Sequence, residues 1–472
     1  MSPELLRKKY PKFIYKSFSF NLKESNLNII FDFRIPPDLK FSPKIRIAKV
    51  NEGRLRKIKK EVLENLILNL GMIESFSYWK ATCSPEIEID AGYLKKEQAR
   101  WWEELILKGM GQFFFENKID FTKKNFLKIY SLKKESLLKP INLKLKNRTI
   151  IPIGGGKDSI VTLELLKESG EDFTTFALNP TRTIKKIIKI GSQNSPLIVE
   201  RKIDPKILKL NQKGYLNGHT PFSAYLAFLS VLCAVIFDFK YIAFSQERSS
   251  NEGNVKYLGK TINHQYSKSF EFEKKFREYL KKYLVSGIEY FSFLRPLYEL
   301  QISKLFSKYS QYFPIFLSCN EAYKTYSGTK KPKKKWCGQC SKCLFIYSSL
   351  YPFIEDKELI EIFGEDLFEK RNLLAIMQEL IGQKGFKPFE CVGTKKESLI
   401  AFYLSWKKAK ANGKQPFLLK YFEREILPTK SSFNFEKESK KLMESFGKNH
   451  FLPPEFQQIF KKKMQTLTNR DK

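Results

Sequence analysis

Histidine is scarce in this chain, at three residues of 472, and acidic residues number 50 against 85 lysines and arginines. Imidazole chemistry is therefore confined to very few positions, and the net charge of +35 argues against an acidic, solvating protein. The excess basic charge points to anionic partners, namely nucleic acid, nucleotides or a membrane surface, or to a lysine-rich compositional bias, because the lysines are spread along the whole chain. Long hydrophobic runs are missing too. The longest, Ala224 to Phe237, falls short of the ~20 residues needed to span a bilayer and reads as a buried core helix. No apolar core follows Met1-Ser2-Pro3-Glu4, so no signal peptide is visible. Seven cysteines, three of them within one short segment, indicate metal binding in a reducing, cytoplasmic setting and not a disulfide framework. Both the G-x-x-x-x-G-K-[ST] phosphate loop and the G-x-G-x-x-G dinucleotide turn are absent.

A different glycine turn is present. The β-branched run Thr149-Ile150-Ile151 leads into Gly154-Gly155-Gly156-Lys157-Asp158-Ser159, and an amphipathic stretch follows. Three glycines let backbone N–H groups converge on one concave spot, and the N-terminus of the following helix adds partial positive charge there. Lys157 brings an ammonium and Ser159 a hydroxyl, so the segment has the parts of a phosphate cradle.

Length and composition allow two or three domains around a large core. Three regions are expected: an α+β domain over 1–146, an α/β nucleotide-binding domain over 147–350, and a mainly helical region over 351–472. In the first, 28–33 and 44–47 alternate like strands. Helical spacing runs from Arg54 to Leu70, with Gly71 placed as a C-cap, and again from Lys95 to about Phe115. Lys80 and Cys83 read as structural. In the second region strands are expected at 149–153, 173–178, 197–202, 241–246 and 290–297. Helices fill the gaps at about 158–168, 221–237, 270–284 and 299–313. This alternation implies a parallel sheet with ligands at the carboxyl ends of its strands.

A polar loop follows one of those strands: Ser245-Gln246-Glu247-Arg248-Ser249-Ser250-Asn251-Glu252-Gly253-Asn254. Glu247 or Glu252 can help hold Mg²⁺, and Arg248 can clamp a carboxylate or phosphate. His219 and His264 lie near strand ends, where acid–base groups are useful. The segment from Gly385 to Gly393 reads as a shaped loop, in which Glu390-Cys391 is either a reactive pair or a buried cysteine in a turn. Cys337, Cys340 and Cys343 repeat C-x-x-C with a shared centre, and Cys319 is the natural fourth ligand. A closed four-thiolate site suits structural Zn²⁺, while an iron–sulfur cluster shares the ligand set. Residues 330–335 form a basic run before the knuckle, either a solvated stretch or a phosphate-facing rim. The tail after Lys461 is expected to be disordered.

The glycine turn resembles the S-G-G-x-D-S signature of the PP-loop ATP pyrophosphatases, with Gly154 replacing the usual first serine and removing one hydroxyl contact to pyrophosphate. Together with the cysteine knuckle it is similar to the 7-cyano-7-deazaguanine synthases. The segments Tyr78-Trp79-Lys80, Asn217 to Pro221, Glu247 to Asn254, Asn263-His264-Gln265, Trp336-Cys337-Gly338 and Lys387 to Gly393 more closely resemble the UDP-N-acetylmuramoyl-L-alanyl-L-glutamate epimerases. That resemblance spans about residues 15 to 455. It implies an ATP- and Mg²⁺-dependent epimerase of a nucleotide-sugar dipeptide, acting through an acyl adenylate in peptidoglycan precursor synthesis and releasing AMP and diphosphate. A functional link to an L-glutamate-adding muramyl ligase follows. Gly154 to Ser159 would hold the pyrophosphate end of ATP, and base and acid would come from His219, His264 and Cys391. The rival is a nucleobase- or tRNA-modifying ligase of the same superfamily. A third possibility is a basic nucleic-acid-binding module, which leaves both polar loops unexplained.

Overall fold

The computed structural model describes residues 2–133, 140–192, 194–323 and 335–460. The expected disordered tail and residues 330–334 of the basic run lie outside these residues. Among the described residues, no helix is long and apolar enough to cross a membrane.

The N-terminal half supplies β1 (Lys12–Lys23), β2 (Asn26–Ile35), β3 (Leu39–Phe41), β4 (Lys44–Ile47), β5 (Glu86–Ile89) and β6 (Lys128–Ser131). A short β7 (Ile141–Asn142) precedes β8 (Thr149–Pro152), β9 (Phe173–Leu178), β10 (Leu197–Lys202) and β11 (Tyr241–Phe244). A hairpin of β12 (Val255–Tyr257) and β13 (Lys260–Ile262) comes next, then β14 (Val285–Ser286), which pairs with β7, and β15 (Glu289–Ser292). One large sheet runs in the order β15-β11-β8-β9-β10-β4-β2-β1-β5-β6, with β3 attached to β2. From β15 to β10 every pairing is parallel. The antiparallel contact of β10 with β4, which aligns Val199 with Ile47, carries the sheet across the boundary expected near residue 147.

The expected strands reappear, although the one expected over 241–246 ends at Phe244 and the one expected over 290–297 spans Glu289–Ser292, and their patterns fit their surroundings. Inward residues of β2 alternate as Leu27, Ile29, Phe31, Phe33 and Ile35, as a half-covered strand requires. All four residues of β11 are buried, as expected for a strand covered on both faces. Helices Lys60–Trp79 and Phe222–Phe237 pack together on one face, within one apolar core. Glu299–Phe306, Ser341–Leu350 and Lys395–Ala411 build a second core with the helical C-terminal region.

Several helix limits differ from expectation for identifiable reasons. The stretch Arg54–Leu70 belongs to two helices, Glu52–Lys57 and Lys60–Trp79, and Gly71 lies inside the second instead of ending a helix at Leu70. A Cβ at Gly71 would stand 2.0 Å from the Tyr15 hydroxyl, so the glycine answers a close approach of β1 and not a chain reversal. Helix 95–115 breaks at Met110 into Lys96–Gly109 and Gly111–Glu116. The helix from Phe270 is regular to Tyr279 and ends in a wider turn over Leu280–Leu284. The helix from Glu299 stops at Phe306.

Helix Lys60–Trp79 is tied to the sheet by a buried ion pair. Arg201 on β10 donates to both carboxylate oxygens of Glu74, at 2.8 and 2.9 Å, and to the Ser77 hydroxyl. In the parallel half, β8 and β11 are neighbours whose connections leave in opposite directions across the sheet. Ligands of open α/β sheets bind in the crevice that such a reversal opens at the carboxyl ends. The glycine turn leaves β8 there and the polar loop leaves β11.

Candidate active site

The glycine turn is shaped by its surroundings. Gly155 has φ +91°, a conformation that favours glycine. A Cβ on Gly156 would meet the Ser318 hydroxyl at 2.6 Å, whereas Gly154 faces open space. The Leu317 N–H donates to Gly155 O at 2.9 Å. The segment leading to Cys319 is therefore fastened to the turn. Helix Lys157–Glu168 starts at Gly156 without a side-chain cap, which leaves its first amides free for an anion. Ser159 donates to Gly156 O at 3.0 Å.

Lys157 does not project into the crevice. Its side chain is 1% exposed, and its ammonium is paired with Asp158 at 2.5 Å and with Glu299. Oxygens of Asp158, Glu247 and Glu299 lie within 4.8 Å of one another. Burial pushes the Glu247 and Glu299 carboxyls upward, and the neighbouring Asp158 adds to this for both. For Asp158, the cations Lys157, Lys342 and Lys268 outweigh burial and hold the carboxyl below its usual value. Two ammonium groups already meet this cluster, Lys157 on Asp158 and Glu299 and Lys342 at 3.9 Å from Glu299, and the three carboxylates could together hold a metal ion.

Of the two acids expected from the polar loop, Glu247 joins this cluster and Glu252 does not. Glu252 accepts from the Lys395 N–H at 3.0 Å and stands 3.4 Å from Lys387 Nζ. Arg248 also points elsewhere, its guanidinium stacked 4.4 Å over the Tyr298 ring. The neighbouring cation in that loop's framework is Arg295, fully buried beside Glu273 at 3.0 Å and donating to Glu247 O and the Ser250 hydroxyl. Asn254 is a clamp: its Nδ2 donates to Lys387 O and Pro388 O, while its Oδ1 accepts from the His264 N–H at 2.8 Å.

That clamp brings together His264 and Cys391, whose Nε2 and Sγ are 4.0 Å apart. The ring tautomer follows from a chain of partners. Gln112 Nε2 donates to Glu116 at 2.7 Å, which turns Gln112 Oε1 toward His264 Nδ1. A carbonyl oxygen only accepts, so Nδ1 carries the hydrogen and Nε2 faces Cys391 as an acceptor. Burial lowers the basicity of His264 to about 3, reinforced by Lys268, Lys387 and Lys342. His219 lies against it, ring centroids 4.4 Å apart with the planes tilted by 50°, and burial holds it well below the ordinary value as well. Lys268 Nζ donates to Cys391 Sγ at 3.1 Å. Burial opposes its charge, yet Cys391 and Glu247 raise its pKa. Lys80 donates to Gly218 O at 2.9 Å, next to His219, and burial lowers its pKa to about 8. Cys83 is buried, its carbonyl accepting from Arg7, in line with a structural role.

The four knuckle cysteines converge. Sulfurs of Cys319, Cys337, Cys340 and Cys343 lie within 4.8 Å of one another and form a cluster that can bind zinc. The cluster also reaches the site, because Lys342, between two of its cysteines, donates through Nζ to Cys391 O and through N–H to Glu390 at 2.5 Å. Lys335 of the preceding basic run donates to Pro314 O at 2.7 Å.

Glu299, Lys268, Lys342 and Arg295 were not singled out from the sequence. Glu299 opens a helix, where an acid ordinarily only balances the helix dipole. Lys342 is one lysine among very many. Position after β15, beside the strand-end crevice, is the signal that marks Glu299.

A family model described as the MurL N-terminal domain matches residues 5–293, and one described as the MurL C-terminal domain matches residues 315–432. A Xanthomonas oryzae pv. oryzae protein named UDP-N-acetyl-alpha-D-muramoyl-L-alanyl-L-glutamate epimerase is 31% identical over 386 residues, covering 82% of this chain and 83% of its own. Proteins of the same name from Micromonospora sp. and Salinispora tropica are each 38% identical over 257 residues, 54% of this chain and 56% and 55% of theirs.

Proposed function

This chain belongs to the MurL family, and on that premise we propose that it converts the terminal L-glutamate of UDP-N-acetylmuramoyl-L-alanyl-L-glutamate to D-glutamate. The proposal includes ATP-dependent activation, with AMP and diphosphate released. The observation that carries it is the Glu116–Gln112–His264–Cys391 relay beside the Asp158–Glu247–Glu299 cluster.

The chemistry requires both parts. The α-proton of a glutamate whose carboxylate is ionised is very weakly acidic. Joining that carboxylate to AMP removes its charge and makes its carbonyl an electron sink, so a modest base suffices. The free amides after Gly156 and the open space at Gly154 receive the pyrophosphate end of ATP. Asp158, Glu247 and Glu299, whose oxygens lie within 4.8 Å of one another, would hold Mg²⁺, which would supply positive charge to offset the phosphates.

Cys391 and His264 act as one proton-transfer unit. Their 4.0 Å separation leaves no room for a carbon between them at ~3–3.5 Å from each. Cys391 Sγ, which receives the Lys268 Nζ hydrogen bond at 3.1 Å, takes the α-proton when it acts as a thiolate, and His264 Nε2 accepts a hydrogen bond from the thiol so formed. His219, packed against it at a 50° tilt, orients the His264 ring. A water molecule on the opposite face of the planar carbon gives up a proton to it, which yields the D-glutamyl adenylate; the hydroxide left behind recovers a proton from the solvent, and hydrolysis of the adenylate frees the product. The cysteine cluster would hold structural Zn²⁺, fixing Lys342 against Cys391 O and Leu317 against the glycine turn. The substrate presupposes a ligase that adds L-glutamate to the nucleotide-linked lactoyl-alanine.

AMP and diphosphate release, measured with and without the nucleotide dipeptide, tests this directly. Release should depend on the dipeptide and fall at least 100-fold, about 2.7 kcal/mol, in Asp158→Asn. Dipeptide-independent release, or an unimpaired variant, contradicts the assignment.

A further inference from the structure

Lysines surround the His264–Cys391 relay, and almost all are already engaged. Lys157 is held by Asp158 and Glu299, Lys268 by Cys391 Sγ, Lys342 by Cys391 O and Lys80 by Gly218 O. Lys387 differs. Its side chain is 1% exposed, and its ammonium has no hydrogen-bond acceptor among the described residues. The nearest carboxylate, Glu252 Oε1, is 3.4 Å away in an ion pair without hydrogen-bond geometry, and it accepts the Lys395 N–H instead.

A buried ammonium lacking acceptors is costly. The backbone around it is nonetheless fixed, since Asn254 binds the Lys387 and Pro388 carbonyls. The charge also bears on the reacting centre, being one of the cations that depress His264. A held, buried cation with unfilled donors beside a proton-transfer pair fits a ligand carboxylate. Resting on the epimerase reading, we propose that Lys387 receives the side-chain carboxylate of the substrate glutamate and thereby selects a dicarboxylic residue. While the α-carboxylate loses its charge on activation, the γ-carboxylate keeps its own and needs a fixed partner. Lys387 is therefore a specificity-determining residue outside the proton relay.

The test compares wild type with Lys387→Met on UDP-N-acetylmuramoyl-L-alanyl-L-glutamate and on the same nucleotide ending in L-glutamine. Wild type should prefer glutamate by about 100-fold or more in kcat/KM, and the variant should reduce that ratio below about 10. An unchanged ratio overturns the proposal. Thermal unfolding separates a ligand role from a structural one: losing an acceptor-less buried ammonium should leave the midpoint unchanged or raise it, whereas a fall of more than about 4 °C overturns the proposal. Glutarate binding by calorimetry needs no turnover, and wild type should bind it at least ~10-fold tighter than the variant. Equal binding refutes the role of Lys387 even in an active epimerase. Tighter wild-type binding without any epimerisation sustains the carboxylate site while the proposed function fails.

Discussion

Lowering the pH from 8 to 4.5 should leave the imidazoles of His219 and His264 uncharged. Burial is the largest cause and the cations Lys268, Lys387 and Lys342 add to it, together carrying His264 from 6.5 to about 3. At ~1.36 kcal/mol per unit, charging the ring in the folded protein costs on the order of 5 kcal/mol more than charging it in water. The unfolded chain takes the proton first, so the stabilisation is complete above 6.5 and is lost as pH falls from 6.5 toward about 3. By pH 5, one and a half units below 6.5, His264 alone removes about 2 kcal/mol. Because the chain has only three histidines, ¹³Cε1-histidine labelling yields three resonances, each assignable by one substitution. Two should hold neutral shifts down to pH 4.5. Lys268→Met should move the His264 midpoint upward, because a cation is removed. A wild-type midpoint near 6.5 for His264 would show a solvated ring and refute its role as a neutral acceptor facing Cys391.

Gly71→Ala drives a methyl into the Tyr15 hydroxyl and should destabilise the protein by about 1–3 kcal/mol, visible as a lower thermal midpoint; an unchanged midpoint would mean that β1 is free to retreat. Glu74→Ala strands Arg201 in the interior and should cost about 3–5 kcal/mol, with a much smaller loss on denaturation in high salt counting against a buried pair. Elemental analysis should find one zinc per chain. Cys319→Ser should lower both metal content and epimerase activity, because Lys342 then loses its hold on Cys391 O; full activity in metal-free protein would detach the knuckle from the site.

Much of the fold was legible in the sequence because the signal was local. The strands β8, β9, β10 and β11 announce themselves as short β-branched or aromatic runs, and the α/β alternation fixes a largely parallel sheet. Helix ends were less legible: Gly71 looks like a cap until Tyr15, far away in sequence, is seen against it. The site divides in the same way. Gly154–Ser159, Glu247, His264, Cys391 and the four knuckle cysteines stand out by residue type and spacing. Lys157 resembles a phosphate ligand in sequence, yet Glu299 captures its ammonium, an outcome only tertiary contact decides. Glu252 and Arg248 share a loop with Glu247, but a turn of the chain over 248–251 sends them to Lys395 and Tyr298. Lys268, Lys342 and Lys387 are invisible against so many lysines, because their distinction is burial, which a single sequence does not display at isolated charged positions.

The most direct measurement is the fate of the α-hydrogen. UDP-N-acetylmuramoyl-L-alanyl-L-glutamate is incubated with the protein, ATP and Mg²⁺ in D₂O, hydrolysed, and its glutamate separated by chirality and weighed by mass spectrometry. The account predicts D-glutamate carrying one deuterium at the α-carbon, abolished by Cys391→Ala. L-glutamate recovered without deuterium would contradict it.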